Sequence, residues 1–241
     1  MENFAIIIPT YNERDNIRKL VLTLREMYPG ARIYVVDDNS PDGTAEVVRE
    51  LATDSRQVQL VFRDQKQGLA SAYIDAFARI LPDETLAHVV TMDADLSHNP
   101  AELRELLEHA DSHHVVIGSR YVPGGAVRNW AAWRRLVSSL GNIYTKFVLR
   151  SRVNDLTSGF VVYSREILAR VLPHIEEREP YAFQTEMKFL AERFGATIKE
   201  VPITFLERES GKSKFKPRAV LEAFFFPWYL RFFRHRRGPD F

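Results

Sequence analysis

The decisive stretch is Val89-Val90-Thr91-Met92-Asp93-Ala94-Asp95-Leu96-Ser97-His98, an apolar run that ends in two aspartates one residue apart. A short apolar run bounded by polar residues reads as a buried strand. Like charges at that spacing repel, so the pair must be held by a cation or by hydrogen bonds. Working outward, strand-like runs lie at 4–8, 33–36, 58–62, 89–92 and 115–117. Helical periodicity falls between them at 13–27, 44–53, 69–81 and 100–110. This alternation predicts an α/β fold with a mostly parallel sheet and crossover helices.

In such sheets ligands bind beyond the carboxyl ends of the strands. The residues there are Pro9-Thr10-Tyr11-Asn12-Glu13, Asp37-Asp38-Asn39-Ser40, Asp93-Ala94-Asp95 and Gly118-Ser119-Arg120. Three of these groups carry carboxylates and the fourth ends in arginine. Asn12 and Asn99 suit helix N-caps, but capping does not require paired acids after two separate strands. Asp93 and Asp95 suit a shared hard cation, Mg²⁺ or Mn²⁺, which completes its shell with water and substrate phosphates.

The 241 residues suffice for a sizeable core, and 45% hydrophobic with 27% charged residues excludes a disordered chain. Without cysteine there are neither disulfides nor thiolate metal sites. The N-terminal segment lacks the pattern of a secretory signal, which predicts a cytoplasmic protein. Net charge is only +1, yet Arg128, Arg134, Arg135, Lys146, Arg150 and Arg152 crowd a segment that contains no acid. From Ser210 onward, eight cations face only Glu222 and Asp240. Such segregation predicts surfaces for phosphates, nucleic acid or an anionic membrane. His113-His114 lacks zinc-ligand spacing, and Gly211-Lys212-Ser213 lacks the earlier glycine of a phosphate-binding loop.

After a loop at Gly124-Gly125, residues 133–149 form a two-striped helical pattern. Apolar residues occupy 133, 136, 137, 140, 143, 144, 147 and 148, while Arg135, Ser138, Asn142 and Lys146 form a separate polar stripe.

The segments IIIPTYNERDNI, VVDDNSPDGTAEVV, KQGLASAY, MDADLSHNP, GSRYVPGG, WRRLVSSLGN, DLTSGF, YAFQTEM and ITFLERESGKSK occur in an order that resembles the inverting family-two glycosyltransferases. Among these, the polyprenyl-phosphate (dolichyl-phosphate) mannose synthases are the best match. The resemblance runs from about Phe4 to Lys214. It implies a glycosyltransferase-A fold, with a Rossmann-like sheet flanked by helices, and transfer of mannose from GDP-mannose to a polyprenyl phosphate. It further implies that Pro9, Tyr11, Glu13, Val36 and Asp38 hold the nucleoside, with Asp93, Ala94 and Asp95 at the diphosphate. Asp93 and Asp95 would bind the metal, with Ser97 completing that site. Arg208 and Lys214 would cover the donor diphosphate, and Arg120, Arg134, Arg135 and Ser138 would meet the acceptor phosphate. Asp95, Arg120, Arg208 and Lys214 are then the residues expected to act on the reacting groups. Gln184 and Glu186 match a motif near the active site.

The chain departs from the family pattern at Ser139-Leu140, where a basic residue and glycine are frequent, and at Val161, where arginine is frequent. Both departures bear on the acceptor side. A related enzyme using UDP-glucose, or a catalytically inactive membrane-docking domain, would share much of the pattern. A sugar nucleotidyltransferase would need a glycine-rich basic loop where this chain has PTYNE.

The expected organisation is one catalytic domain over 1–216, with a nucleotide-sugar half at 1–110 and an acceptor half at 111–216. An amphipathic membrane-interface helix and basic tail follow at 217–241. Twelve of the fifteen residues at 219–233 are apolar or aromatic. That is too short for a span of about 20 residues, but Trp228, Tyr229 and Arg234-His235-Arg236-Arg237 suit a helix lying in the interface. The expected location is the cytoplasmic face of a membrane, with no nucleic-acid partner.

Overall fold

A computed structural model describes residues 3–175, 180–206 and 217–233. Its centre is a seven-stranded sheet of order β3-β2-β1-β4-β7-β5-β8. The strands are β1 (Phe4–Thr10), β2 (Arg32–Asp37), β3 (Val58–Phe62), β4 (His88–Thr91), β5 (Val115–Ser119), β7 (Val161–Ser164) and β8 (Ile198–Pro202). All neighbours pair in parallel except β7, which runs antiparallel between β4 and β5. Short strands β6 (Ala126–Arg128) and β9 (Thr204–Leu206) pair separately.

Side chains alternate across the sheet because successive strand residues point to opposite faces. On one face Phe4, Ile6 and Ile8 join Ile33, Val35, Val90 and Val116. They are covered by helices α1 (Arg14–Met27), α2 (Thr44–Asp54) and α4 (Leu103–Glu108). On the other face Ala5 and Ile7 join Val36, Val89, Ile117 and Tyr163. There they meet α3 (Leu69–Ile80), α6 (Arg165–Val171) and α7 (Pro180–Arg193). In α1 the buried residues Ile17, Leu20, Val21 and Leu24 follow helical spacing, so one stripe faces the sheet.

Two local expectations are corrected. Residues 100–110 do not form one helix: Pro100–Glu102 is a 3₁₀ turn and α4 ends at Glu108. Asn99 does cap that start, accepting from the Ala101 N–H. Asn12 does not cap α1. It sits in the left-handed region at φ 62°, and the N-cap is Glu13. Capping passes instead to the β2–α2 loop, where Ser40, Thr44 and Asp42 accept the N–H groups of Asn12, Glu13 and Arg14.

Helix α5 (Ala132–Leu149) sets Leu149 into the second core face, and α8 (Pro217–Phe233) lies against α5 and α7. In α5 the polar Asn142 and Thr145 are buried, while Trp133, Leu136, Val137, Leu140, Ile143 and Phe147 are exposed. In α8, Leu230 is buried and Phe224, Phe225, Trp228 and Phe232 face outward, so it carries apolar side chains on both sides.

Candidate active site

The chain runs from β1 outward to β2 and β3, then returns to β4 on the other side of β1. That reversal opens a crevice at the carboxyl ends of β1 and β4. Asn12, Asn39 and Leu96, in the loops after β1, β2 and β4, all adopt left-handed backbone with φ of 62°, 55° and 60°. Asparagine reaches that region readily, whereas leucine holds it only where surrounding structure enforces it, and such strain gathers at functional sites.

Here the enforcing contacts are visible. Buried Asp37 accepts from the Thr10 hydroxyl at 2.8 Å and from the N–H and hydroxyl of Ser40, knotting the first two loops. Asp38 Oδ1 accepts from Arg63 at 2.6 Å, and its Oδ2 accepts from the Gly68 N–H at 2.9 Å. Arg63, itself buried, also reaches Ser71 and Asp75. Both Asp38 oxygens therefore already hold the β3–α3 loop. Val36 is fully buried in the core, as its place on a strand between β1 and β3 requires, so its side chain does not line the crevice. Pro9 is half-buried on β1. Glu13 accepts from Asn16. Tyr11 is exposed, with the Lys66 ammonium 3.3 Å from its ring centroid.

At the end of β4, the Ser97 N–H and hydroxyl both donate to Asp95 Oδ1, at 3.0 and 2.5 Å. Ser97 is buried and fixes the carboxylate's rotation. Ala94 is buried between the two acids. The Asp93 N–H donates to His98 Nδ1 at 3.2 Å, so that nitrogen is bare and the ring is the Nε2–H tautomer. His98 stacks on Phe160 and meets Phe205 edge-on. Burial pushes its pKa below the ordinary value against the pull of Asp93 and Asp95. Gly159 lies opposite, where an added Cβ would stand 3.4 Å from Asp93 Oδ1.

Among the described residues no three or more histidine, aspartate or glutamate side chains are placed to hold a metal ion by themselves. Two hard carboxylates with an adjoining serine fit a Mg²⁺ or Mn²⁺ ion that receives its remaining oxygens from water and a diphosphate.

Beyond β5, Arg120 forms a bidentate pair with Asp155, with Nε at 2.8 Å and Nη2 at 2.7 Å, and also donates to Thr157. Both members are buried. Burial alone would lower the Arg120 pKa and raise that of Asp155, but their mutual attraction prevails and drives the shifts the opposite way. Gly125 allows the β5–β6 loop to close on this strand end, since a Cβ there would meet the Ser119 carbonyl at 2.6 Å. Below the pair, fully buried Lys188 donates to the Leu156 and Ser158 carbonyls. Burial lowers its pKa to about 7 although Asp155 pulls upward. Gln184 and Glu186 are buried on the same helix, and the Gln184 carbonyl accepts from Lys188.

On α5, Ser138 accepts from the Tyr121 hydroxyl at 2.8 Å, and Asn142 donates to Thr157. Arg134 lies 4.1 Å over the Trp130 ring, and Arg135 is exposed. The polar stripe of α5 thus faces the loop that carries Asp155 and Thr157. Arg208 and Lys214 lie outside the described residues.

The sequence model of glycosyl transferase family 2 matches residues 5–172, which contain the whole β1–β4 crevice and the Asp155 loop. The chain belongs to glycosyl transferase family 2. This family 2 glycosyltransferase is 44% identical over 223 residues to a polyprenol monophosphomannose synthase of Mycolicibacterium smegmatis, covering 91% of this chain and 83% of the relative. It is 40% identical to an undecaprenyl-phosphate mannosyltransferase of Micrococcus luteus, over 90% of this chain and 89% of the relative. Its fold is that of glycosyltransferase-A enzymes. A mannosyltransferase from Pyrobaculum calidifontis, solved with GDP-Man and Mn²⁺, superposes with a TM-score of 0.61 at 20% identity, covering 99% of this chain and 65% of that one. A glucosyl-3-phosphoglycerate synthase from Mycobacterium tuberculosis, solved with Mn²⁺ and UDP-Glc, gives 0.66 at 17% identity over 99% of this chain and 80% of the other.

Four buried side chains around the crevice and the Asp155 loop escape a reading of paired acids and charge runs: Arg63, His98, Asp155 and Lys188. Arg63 directly follows β3, where no paired acids mark the strand end. Asp155 stands in the DLTSGF segment, but its partner, 35 positions away, is fixed only by folding.

Proposed function

We propose that this glycosyltransferase moves mannose from GDP-mannose to a polyprenyl phosphate, giving polyprenyl phosphate β-mannose and GDP. The observation that carries this reading is the carboxylate pair Asp93/Asp95 at the sheet's switch point, with the cation-rich α5 side across the Asp155 loop. Relatives at 40–44% identity that bear polyprenyl-phosphate mannosyltransferase names support the acceptor and the sugar.

A phosphate oxygen of the acceptor attacks the anomeric carbon as the bond from that carbon to the GDP diphosphate breaks, inverting the centre. The nucleophile is already anionic, so no general base is needed. His98 could not serve as one through Nδ1, which accepts the Asp93 N–H. Asp93 and Asp95 would hold Mg²⁺ or Mn²⁺, with Ser97 setting the angle of Asp95. When bound, that ion neutralises charge on the departing diphosphate. Arg208 and Lys214 are assigned to the same diphosphate from their sequence motif. Arg134, Arg135 and Ser138 are assigned to the acceptor phosphate, while Arg120, tied to Asp155, shapes that end and adds positive potential.

Among the described residues no helix is long and apolar enough to cross a membrane. A lipid acceptor, together with the apolar and basic residues of 217–241, supports peripheral attachment at the cytoplasmic face. Incubating the purified chain with one short polyprenyl phosphate and a panel of nucleotide sugars tests the proposal. GDP-mannose should be the productive donor. Productive glucose transfer from UDP-glucose, with GDP-mannose inert, would refute the sugar assignment.

A further inference from the structure

The loop at 155–159 lies between two buried cations, and among the described residues only one of them bonds to a carboxylate. On one side Arg120 takes the side chains of Asp155 and Thr157. On the other, the Lys188 ammonium donates to the carbonyls of Ser158 at 2.7 Å, Leu156 at 3.2 Å and Gln184 at 3.3 Å. Among the described residues, every hydrogen bond of Lys188 goes to a carbonyl oxygen.

A fully buried ammonium in such surroundings is costly. Burial is the largest influence against its charged form; Asp155 and Glu200 favour that form, and Arg120 opposes it. A methionine would bury similar carbon without the cost, so packing alone does not account for a lysine here. What the ammonium adds is three donors on one centre, aimed at one short loop.

The loop needs them. Its N–H groups at Asn154 and Asp155 go to Glu200, and that of Leu156 goes to Asn142. The carbonyls of Leu156 and Ser158 turn instead toward α7, where Lys188 meets them. A peptide unit is planar, so fixing a carbonyl also orients the residue that follows. Thr157 follows Leu156 and accepts from Arg120. Gly159 follows Ser158; a Cβ there would stand 3.4 Å from Asp93 Oδ1, and its carbonyl accepts from Thr91 at 2.8 Å.

We propose that Lys188 is a positioning residue for glycosyl transfer. Its ammonium clamps the 155–159 loop so that Thr157 and Gly159 hold the Arg120 guanidinium and the Asp93 carboxylate in a fixed relation. Lys188 reaches the reacting groups only through this loop. With Asp93 at the donor diphosphate and Arg120 at the acceptor end, the clamp aligns the attacking phosphate oxygen with the anomeric carbon. That alignment rests on the proposed function, whereas the clamp rests on the hydrogen bonds alone.

The test compares wild type with Lys188→Met in the full chain, by hydrogen exchange and by steady-state kinetics expressed per GDP-binding site. Exchange over residues 154–159 should rise at least about tenfold in the variant, with β1 and β4 unchanged. GDP affinity should stay within about twofold. For mannose transfer to a short polyprenyl phosphate, kcat should fall about ten- to a hundredfold with both KM values within about threefold, because misalignment of bound reactants costs turnover and not binding. A lysine that only supports the fold would reduce the number of GDP-binding sites and leave kcat per site alone. Lys188→Gln, which keeps an N–H donor without the charge, carries the same test where Lys188→Met does not fold, with smaller changes in the same direction. Unchanged loop exchange overturns the proposal, and so does a kcat per site equal to that of wild type. A wild-type chain that transfers no mannose would reject the proposed function, and the exchange comparison, which needs no substrate, then decides the clamp by itself.

Discussion

The strand-end crevice and the α5–α8 surface treat polar and apolar groups in opposite ways. At the crevice, Asp37 is bonded to Ser40, Asp38 to Arg63 and Asp95 to Ser97, all of them buried. On α5 and α8, large apolar side chains stand in the open. Buried polar networks fix geometry because every unmade bond is costly, whereas exposed apolar faces await a partner of low polarity. One region therefore holds its geometry through internal hydrogen bonds, and the other leaves a large apolar surface uncovered. Helix α5 connects them, its polar stripe on the Asp155 loop and its apolar stripe outside.

The largest effect expected from breaking this contrast is at the buried pair. Asp155→Ala strands the Arg120 guanidinium in the interior and should cost about 3–5 kcal/mol of stability, read from denaturant unfolding. By comparison, Phe147→Ser on the exposed stripe should stay within about 0.5 kcal/mol of wild type. Similar losses at both sites would erase the distinction.

Next comes Asp95→Asn, which should leave unfolding nearly unchanged while lowering kcat by about a hundred- to a thousandfold, the range for loss of one pre-set electrostatic contact. Wild-type turnover in this variant would remove the metal assignment.

A smaller effect is expected from Arg135→Ala. It should raise KM for polyprenyl phosphate several-fold and leave KM for the nucleotide sugar in place. A change confined to the donor would put Arg135 at the wrong phosphate. Arg120→Ala is a poorer probe of acceptor binding than its motif suggests, because it also leaves Asp155 buried without its partner.

The smallest effect is a pH slope. Lys188 has a pKa of about 7 when folded, below the ordinary lysine value. Between about pH 7 and 10 the unfolded chain thus binds more protons at this position, and stability should rise with pH across that window. Lys188→Met should flatten the slope of melting temperature against pH, and an unaltered slope would assign the titration elsewhere.

Much of this was legible in the sequence. Alternating apolar runs gave the parallel strands, and the acids after the second and fourth runs marked the crevice. Antiparallel β7 was not foreseeable, because its apolar run Val161-Val162-Tyr163 carries no mark of strand direction. Periodicity separated the two stripes of α5 without saying which would face inward. That depends on Asn142 and Thr157 meeting across a loop, a contact only the fold creates. The bond between Asp38 and Arg63, 25 positions on, was not legible, because no sequence pattern pairs the two. Charge motifs show where polar groups are available and leave unstated which of them the protein itself will occupy.

The central claim, that Asp93 and Asp95 make a cation-dependent diphosphate centre, is tested most directly by calorimetric titration of GDP into the full chain with and without Mn²⁺. The account predicts at least about tenfold tighter GDP binding with the ion, as expected when a hard cation bridges carboxylates and diphosphate, and no such gain in Asp95→Asn. Equal GDP affinity with and without Mn²⁺ in the wild type, or an undiminished gain in the variant, would contradict it.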